Sequence, residues 1–309
     1  NLAKVCETWH ISLEGSKLEE AHKLYKRALS IREHELGKEH PDVAYTLDAI
    51  GYFYHYRTEE FKKAEKVLTQ ALQIKEKAFG SNDEALVATL VSLGDLYKSG
   101  LSDLDAAERS YGRALSIGDR INAPKTVELT ARSSLAWLYF ERGKFSQAET
   151  LFRVIASIED ETHWSFPISH QMLADVLRKQ KKYDEAETVL RQVLRAAELP
   201  SAKIHEGTVA SVRKGLGDVY RDQKKFKLAE PLYKEAISFY ENAGYENRLV
   251  FEAYEAYAEM LALAGRQAEA ERIRSHESAL RDKISARDAG KAEIGATRTP
   301  DADSSKPSQ

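Results

Sequence analysis

The chain has 309 residues, 42% of them hydrophobic and 31% charged, with a net charge of −3. That balance supplies enough apolar material for a continuous core and no overall field that would favour nucleic acid or an anionic membrane. One cysteine, Cys6, excludes an internal disulfide or thiolate metal cage, and no apolar run approaches the roughly 20 residues of a membrane span.

The chain opens at Asn1 without an initiator Met, which reads as a cut piece or a processed product. Residues 1–13 are expected to form a first helix with Val5 and Trp9 facing inward, and a second helix comes next over about 17–36. Gly37 is placed to cap that helix, and Pro41 falls in the first turn of the next, where its missing N–H costs nothing. From Leu18 to Gly80 one motif occurs twice. Ala21, Leu24, Tyr25, Ala28 and Leu29 return 43 residues later as Ala64, Val67, Leu68, Ala71 and Leu72. The spacing i, i+3, i+4, i+7, i+8 puts each set on one face of an α-helix.

The same small anchor continues through Ala107, Ala148, Ala186, Ala229 and Ala270, at steps of 43, 43, 41, 38, 43 and 41, and is usually followed by Glu. Twelve or thirteen residues before each anchor, from the second copy on, lies another small residue: Gly51, Gly94, Ala136, Ala174, Gly217 or Ala258. Each copy is therefore a pair of helices, A and B, whose backbones approach closely at that point, because a larger side chain would force them apart. A period of this size predicts an array of stacked pairs.

In the third copy Asp83 is positioned as a helix N-cap, and Pro124 separates that copy from the fourth, over 126–160. The segment 161–167 is expected to carry Trp164 and Phe166 outside any helix, either covering helix ends or forming an interaction hot spot. Copies five (168–198) and six (204–243) are regular. The seventh (246–287) has Arg274 where its predecessors have Tyr25, Leu68, Tyr111, Phe152, Leu190 and Tyr233, as suits a unit with no neighbour beyond it. Residues 288–309 are poor in large apolar side chains and are expected to form a disordered tail, leaving 1–287 as the repeat domain.

The run Leu47-x-x-Ile50-Gly51-x-x-Tyr54, followed by Phe61 and Ala64, resembles the tetratricopeptide repeat. The period near 42, with segments 28–44 and 71–88, is similar to the kinesin-light-chain type of that repeat. The resemblance spans about 15–280. It implies an all-α, right-handed superhelical solenoid of about seven antiparallel helix pairs, with A helices lining a concave groove that holds a peptide or helix of a partner. Transferred by position, groove residues lie three before, one after and four after each small residue. These are Asp48, Tyr52 and His55; Val91, Asp95 and Lys98; Ser133, Trp137 and Phe140. The later copies give Gln171, Asp175 and Arg178; Lys214, Asp218 and Arg221; Glu255, Glu259 and Ala262. Aromatics beside guanidinium groups are enriched in hot spots. The pairs Asp95–Lys98, Asp175–Arg178 and Asp218–Arg221 have the i, i+3 spacing of ordinary surface pairs as well. Kinesin light chains commonly place Asn two residues before the small position, whereas this chain has Ala49, Ser92, Ser134, Met172, Gly215 and Ala256. That departure weakens both a motor cargo adaptor and a chaperone co-factor.

No catalytic constellation emerges. His205 and His276, each followed by Glu, lack a second His four residues on, and Gly215-Leu216-Gly217 has no strand before it. No cofactor or metal site is read. Lys62, Lys63, Lys181, Lys182, Lys224, Lys225 and Lys227 fall in A–B turns, forming either a solvated edge or a rim for acidic partners; the near-neutral total charge argues against nucleic acid. The expectation is a non-enzymatic protein–protein interaction scaffold, the alternative a recognition or regulatory segment of a larger enzyme or signalling protein. The resemblance is compatible with a cytoplasmic protein, the favoured case, or a processed exported one; partner identity and oligomeric state are not legible.

Overall fold

The structure is a computed structural model that describes residues 16–121, 125–158, 166–199, 204–244 and 248–296. Among the described residues there are 13 α-helices and no strand. They are α1 (Ser16–Leu36), α2 (Pro41–Tyr56), α3 (Phe61–Phe79), α4 (Val87–Asp95), α5 (Leu104–Ile121), α6 (Lys125–Glu141) and α7 (Phe145–Ile158). Next come α8 (Phe166–Lys179), α9 (Tyr183–Ala197), α10 (Glu206–Asp222), α11 (Phe226–Asn242), α12 (Arg248–Leu263) and α13 (Gln267–Ala296). A 3₁₀ turn (Glu84–Leu86) precedes α4 and a π-helical turn (Leu96–Gly100) succeeds it.

Contacts divide the chain into two compact units, Asn1–Ile158 and Glu159–Gln309. The first holds α1 and the pairs α2–α3, α4–α5 and α6–α7; the second holds α8–α9, α10–α11 and α12–α13. In the first unit the A helices α2, α4 and α6 pack on one another in sequence, as α8, α10 and α12 do in the second, while no two B helices pack comparably among the described residues. Within each unit the A helices therefore form the inner layer.

The anchor alanines from Ala64 on lie at the A–B contacts, Ala21 packs against α2, and all seven are buried. Opposite them the small residues are required by space. A Cβ on Gly51 would lie 2.5 Å from the Leu68 side chain, one on Gly94 2.4 Å from the Tyr111 ring, and one on Gly217 3.0 Å from the Tyr233 ring. Leu68, Tyr111 and Tyr233 each stand four residues after their anchor and are fully buried. A side chain of that size contributes roughly 1.5–3 kcal/mol when buried.

The turn inside each pair repeats one backbone conformation. Glu59, Ser102, Gly143, Lys181, Lys224 and Gly265, each five residues before an anchor, have positive φ. The next amide returns to the preceding A helix: Lys144 N to Tyr139 O, Lys182 N to Leu177 O, Lys225 N to Tyr220 O and Arg266 N to Leu261 O, all at 2.8–2.9 Å. This is the Schellman closure of a helix C-terminus. In the second and third pairs, whose turns are one residue longer, the bond comes from Glu60 to Tyr54 and from Asp103 to Tyr97, and the third absorbs its extra residue as the π turn.

The acid after four of the anchors joins one pair to the next. Glu108 accepts from Tyr139, from Arg142 at 2.7 Å and from Lys144 at 2.8 Å. Glu65 accepts from Tyr97, Glu187 from Tyr220 at 2.6 Å, and Glu230 from Tyr257 at 3.1 Å and Arg266 at 2.6 Å. In the first copy His22 takes the place of Glu and shares a 2.9 Å hydrogen bond with Tyr54.

Several local expectations need correction or extension. Phe166 does not lie outside a helix; it is the first residue of α8 and is buried. The last helix continues beyond 287 to Ala296. The expected first helix (1–13), Trp164 and residues 297–309 lie outside the described residues.

Gly94→Ala is expected to lower stability by about 1–3 kcal/mol, because Tyr111 cannot retreat from the new methyl. Gly112→Ala, also in a helix but with nothing within 4 Å, should raise it by up to about 1 kcal/mol in urea denaturation. Glu230 is held down at about 2, first by Arg266 and then by Lys234, against an ordinary value of 4.5. A depressed carboxylate stabilises the fold fully above 4.5 and loses that contribution as pH falls through about 2. Glu230→Gln should therefore flatten the stability profile between pH 5 and 2 by about 1 kcal/mol, read from acid-dependent melting.

Candidate functional site

The inner layer of the first unit consists of α2, α4 and α6. What each inner-facing position can do depends on the B helix behind it. Behind Asp95 and Asp218 stand tyrosines, whose hydroxyls donate to them: Tyr111 to Asp95 at 2.5 Å and Tyr233 to Asp218 at 2.8 Å. The equivalent positions in the second and fourth pairs have Leu68 and Phe152 behind them, which offer no hydrogen bond. There the chain places Tyr52 and Trp137, 47% and 37% exposed.

The tyrosine stripe on α2 is longer than position transfer indicates. Tyr45, Tyr52 and Tyr56 have i, i+7, i+11 spacing, and all three are nearly half exposed. The rings of Tyr52 and Tyr56 lie 4.5 Å apart, and Tyr56 donates to Asp95 at 3.2 Å. On α6 the Trp137 ring meets Phe140 edge-on at 5.8 Å and Phe152 at 6.3 Å, and Phe140 meets Phe145 at 5.8 Å. Trp137 is thus braced from below while its outer part stays open.

Four of the six residues that stand four after the small position act between neighbouring pairs. His55 hydrogen-bonds Ser99 at 2.9 Å, and burial holds its imidazole below the ordinary value. Lys98 pairs with Glu141 at 2.7 Å. In the second unit Arg178 pairs with Asp222 at 2.8 Å and Arg221 with Glu259 at 2.9 Å. The Asp95–Lys98 pair does not form, because both groups are engaged elsewhere. Asp175–Arg178 (3.4 Å) and Asp218–Arg221 (3.1 Å) do form, as parts of a wider web in which Lys214 also pairs with Asp218 at 3.0 Å. Burial pushes Asp175 up, with Arg178 opposing it. Asp218 is only 4% exposed, so its carboxylate serves the interior.

Between α2, α3 and α4 lies a polar cluster that position transfer misses because it starts from a B helix. Lys75 is 1% exposed and donates to Asp48 at 2.6 Å and Thr89 at 2.9 Å, while its ammonium lies 4.5 Å from the centre of the Tyr45 ring. Thr89 donates to the other Asp48 oxygen at 2.8 Å. The signal available in the sequence was a lysine four residues after Ala71, on the apolar face of α3. Among the described residues no group of three or more His, Cys, Asp or Glu could hold a metal ion, and no helix is long and apolar enough to cross a membrane.

Family profiles described as tetratricopeptide repeat match residues 13–77, 50–120, 129–158 and 172–246. Among solved structures, the apo form of RapI is similar at 17% identity, covering 87% of this chain and 93% of that one, with a TM-score of 0.62. A tetratricopeptide repeat protein from Parabacteroides merdae gives 20% identity, 74% and 77% coverage and a TM-score of 0.57. A signal transduction ATPase with numerous domains and a tetratricopeptide repeat sensor, from Pyrococcus horikoshii, gives 18%, 87% and 40%, and 0.66. No curated protein sequence matches the chain significantly.

The buried cluster makes a direct prediction. Lys75→Met should cost about 2 kcal/mol or more in chemical denaturation, by leaving Asp48 without its ammonium. Adding Asp48→Leu should restore much of the loss.

Proposed function

The chain belongs to the tetratricopeptide-repeat family, and from that premise we propose that it is a non-enzymatic protein–protein interaction scaffold whose inner A-helix layer holds an extended or helical segment of a partner protein. Arrays of this family typically serve as such scaffolds. The observation that carries the reading is the partition of the inner layer in the first unit. Its polar groups at Asp48, His55, Asp95 and Lys98 are engaged by the chain itself, while Tyr45, Tyr52, Tyr56 and Trp137 remain exposed. Tyrosine and tryptophan supply large, rigid contact area at small entropic cost and dominate binding hot spots.

On this reading, Tyr52 and Trp137 are primary contacts and Phe140 braces Trp137. His55, Lys98, Asp175, Arg178, Asp218 and Arg221 hold neighbouring helices in register, so their effect on binding is indirect. The partner is a polypeptide; neither nucleic acid nor membrane insertion is part of the proposal.

Capture of partners from native lysate tests this. Tyr52→Ala and Trp137→Ala should each reduce recovery of the main partner by tenfold or more, while Lys66→Ala on the exposed side of α3 leaves it unchanged. Tyr52→Ala should shift stability by no more than about 0.5 kcal/mol, so the loss would not reflect unfolding. Undiminished recovery with both aromatic variants would refute the assignment.

A further inference from the structure

A cavity of about 740 Å³ opens among α2, the turn before α4, and α6 in the first unit. Its lining combines the Tyr45 ring, apolar Ala88 and Val91, and the acids Asp48, Asp83 and Glu84, with Lys75 as its one cationic group among the described residues. We propose that this cavity receives a lysine or arginine side chain of the partner segment held on the inner layer. The proposal rests on the inner-layer reading above and specifies the chemistry of its ligand.

The balance of charge sets the sign. Three carboxylates face one ammonium, and that ammonium is already committed to Asp48 and Thr89. Asp83 uses one oxygen, Oδ1, to cap the Ala85 amide at 2.9 Å, and among the described residues Glu84 is exposed and makes no ion pair. A guest carboxylate would meet this surplus of like charge, whereas a guest cation would complement it. The walls suit the rest of such a side chain, since the methylene stem of lysine or arginine packs along apolar surface while its head stays polar.

Tyr45 supplies the second element. The Lys75 ammonium already lies against its ring, so the chain itself shows an ammonium stabilised by this tyrosine and the Asp48 carboxylate together. Nearly half of Tyr45 remains exposed, available to a second cationic side chain from outside. The cavity also adjoins the Tyr45–Tyr52–Tyr56 stripe along α2, so a segment lying over that stripe is within reach to place one side chain in it.

Phage-displayed random dodecapeptides panned against the full chain test the proposal. Selected sequences should share a Lys or Arg flanked by apolar residues. The synthetic consensus peptide should lose tenfold or more in affinity when that residue is replaced by norleucine. The same loss should appear when Asp83→Asn/Glu84→Gln is introduced into the protein, a variant that keeps a capping side chain at position 83. The affinity of the wild-type pair should also fall as salt rises. Selected peptides without a basic position, or affinity unchanged by the norleucine replacement, would overturn the cavity assignment; if Tyr52→Ala still abolished their binding, the inner-layer reading would stand. Failure to enrich any peptide would overturn both.

Discussion

Gly51 and Gly94 stand where two helices approach with no room for one more carbon atom, and Gly217 where one would fit only tightly. The close approach lets a large side chain from each B helix lie across the A helix, and the identity of that side chain governs the inner surface. Where it is tyrosine, its hydroxyl passes through the layer and ends on the acid after the glycine, as Tyr111 does on Asp95 and Tyr233 on Asp218. Where it is Leu68 or Phe152, no polar demand comes through, and the inner position is left to Tyr52 or Trp137. In these four pairs the side chain on the B helix goes with the role of the inner position, whereas Asp175, with Leu190 behind it, is engaged instead by Arg178 on its own helix.

The remaining polar residues obey the same division. Acids after the anchors are joined to the next pair by tyrosine and basic side chains, as at Glu108 and Glu230. The polar residues four after the small position join adjacent pairs, as His55–Ser99, Lys98–Glu141 and Arg178–Asp222 do. Such partly exposed pairs each contribute modestly, but each satisfies a group whose desolvation would otherwise oppose stacking. They set the register between pairs more than they add stability.

Helix pairing, the anchor alanines and the close-approach glycines were legible in the sequence because they repeat, and repetition separates a packing requirement from accident. The Asp83 cap and the Gly37 C-cap were legible for a local reason, since each acts within a few residues of itself. The inner site was half legible. Tyr52 and Trp137 fell on transferred positions, but Tyr45 and Tyr56 lie a helical turn or more beyond them and needed the whole face of α2 to be traced. The partners of Lys98 and Asp95 could not be read, because nearest-in-sequence pairing lost to Glu141 and Tyr111, brought in by tertiary packing. Lys75 was hidden for a related reason: its partners Asp48 and Thr89 are 27 and 14 residues away. The turn geometry was invisible too, since Glu59, Ser102, Lys181 and Lys224 share a backbone state without being a residue type that favours it.

Those turns bear on what could be built from this scaffold. Four of the six hold a side chain in a left-handed conformation that glycine adopts freely, as Gly143 and Gly265 do in the other two. The natural chain has left this strain in place, at the rim and away from the inner layer. A hardened version, with those corners relaxed, would keep the proposed recognition surface untouched and tolerate more drastic rewriting of Tyr52, Trp137 and their neighbours, which is what a display platform for new ligands requires.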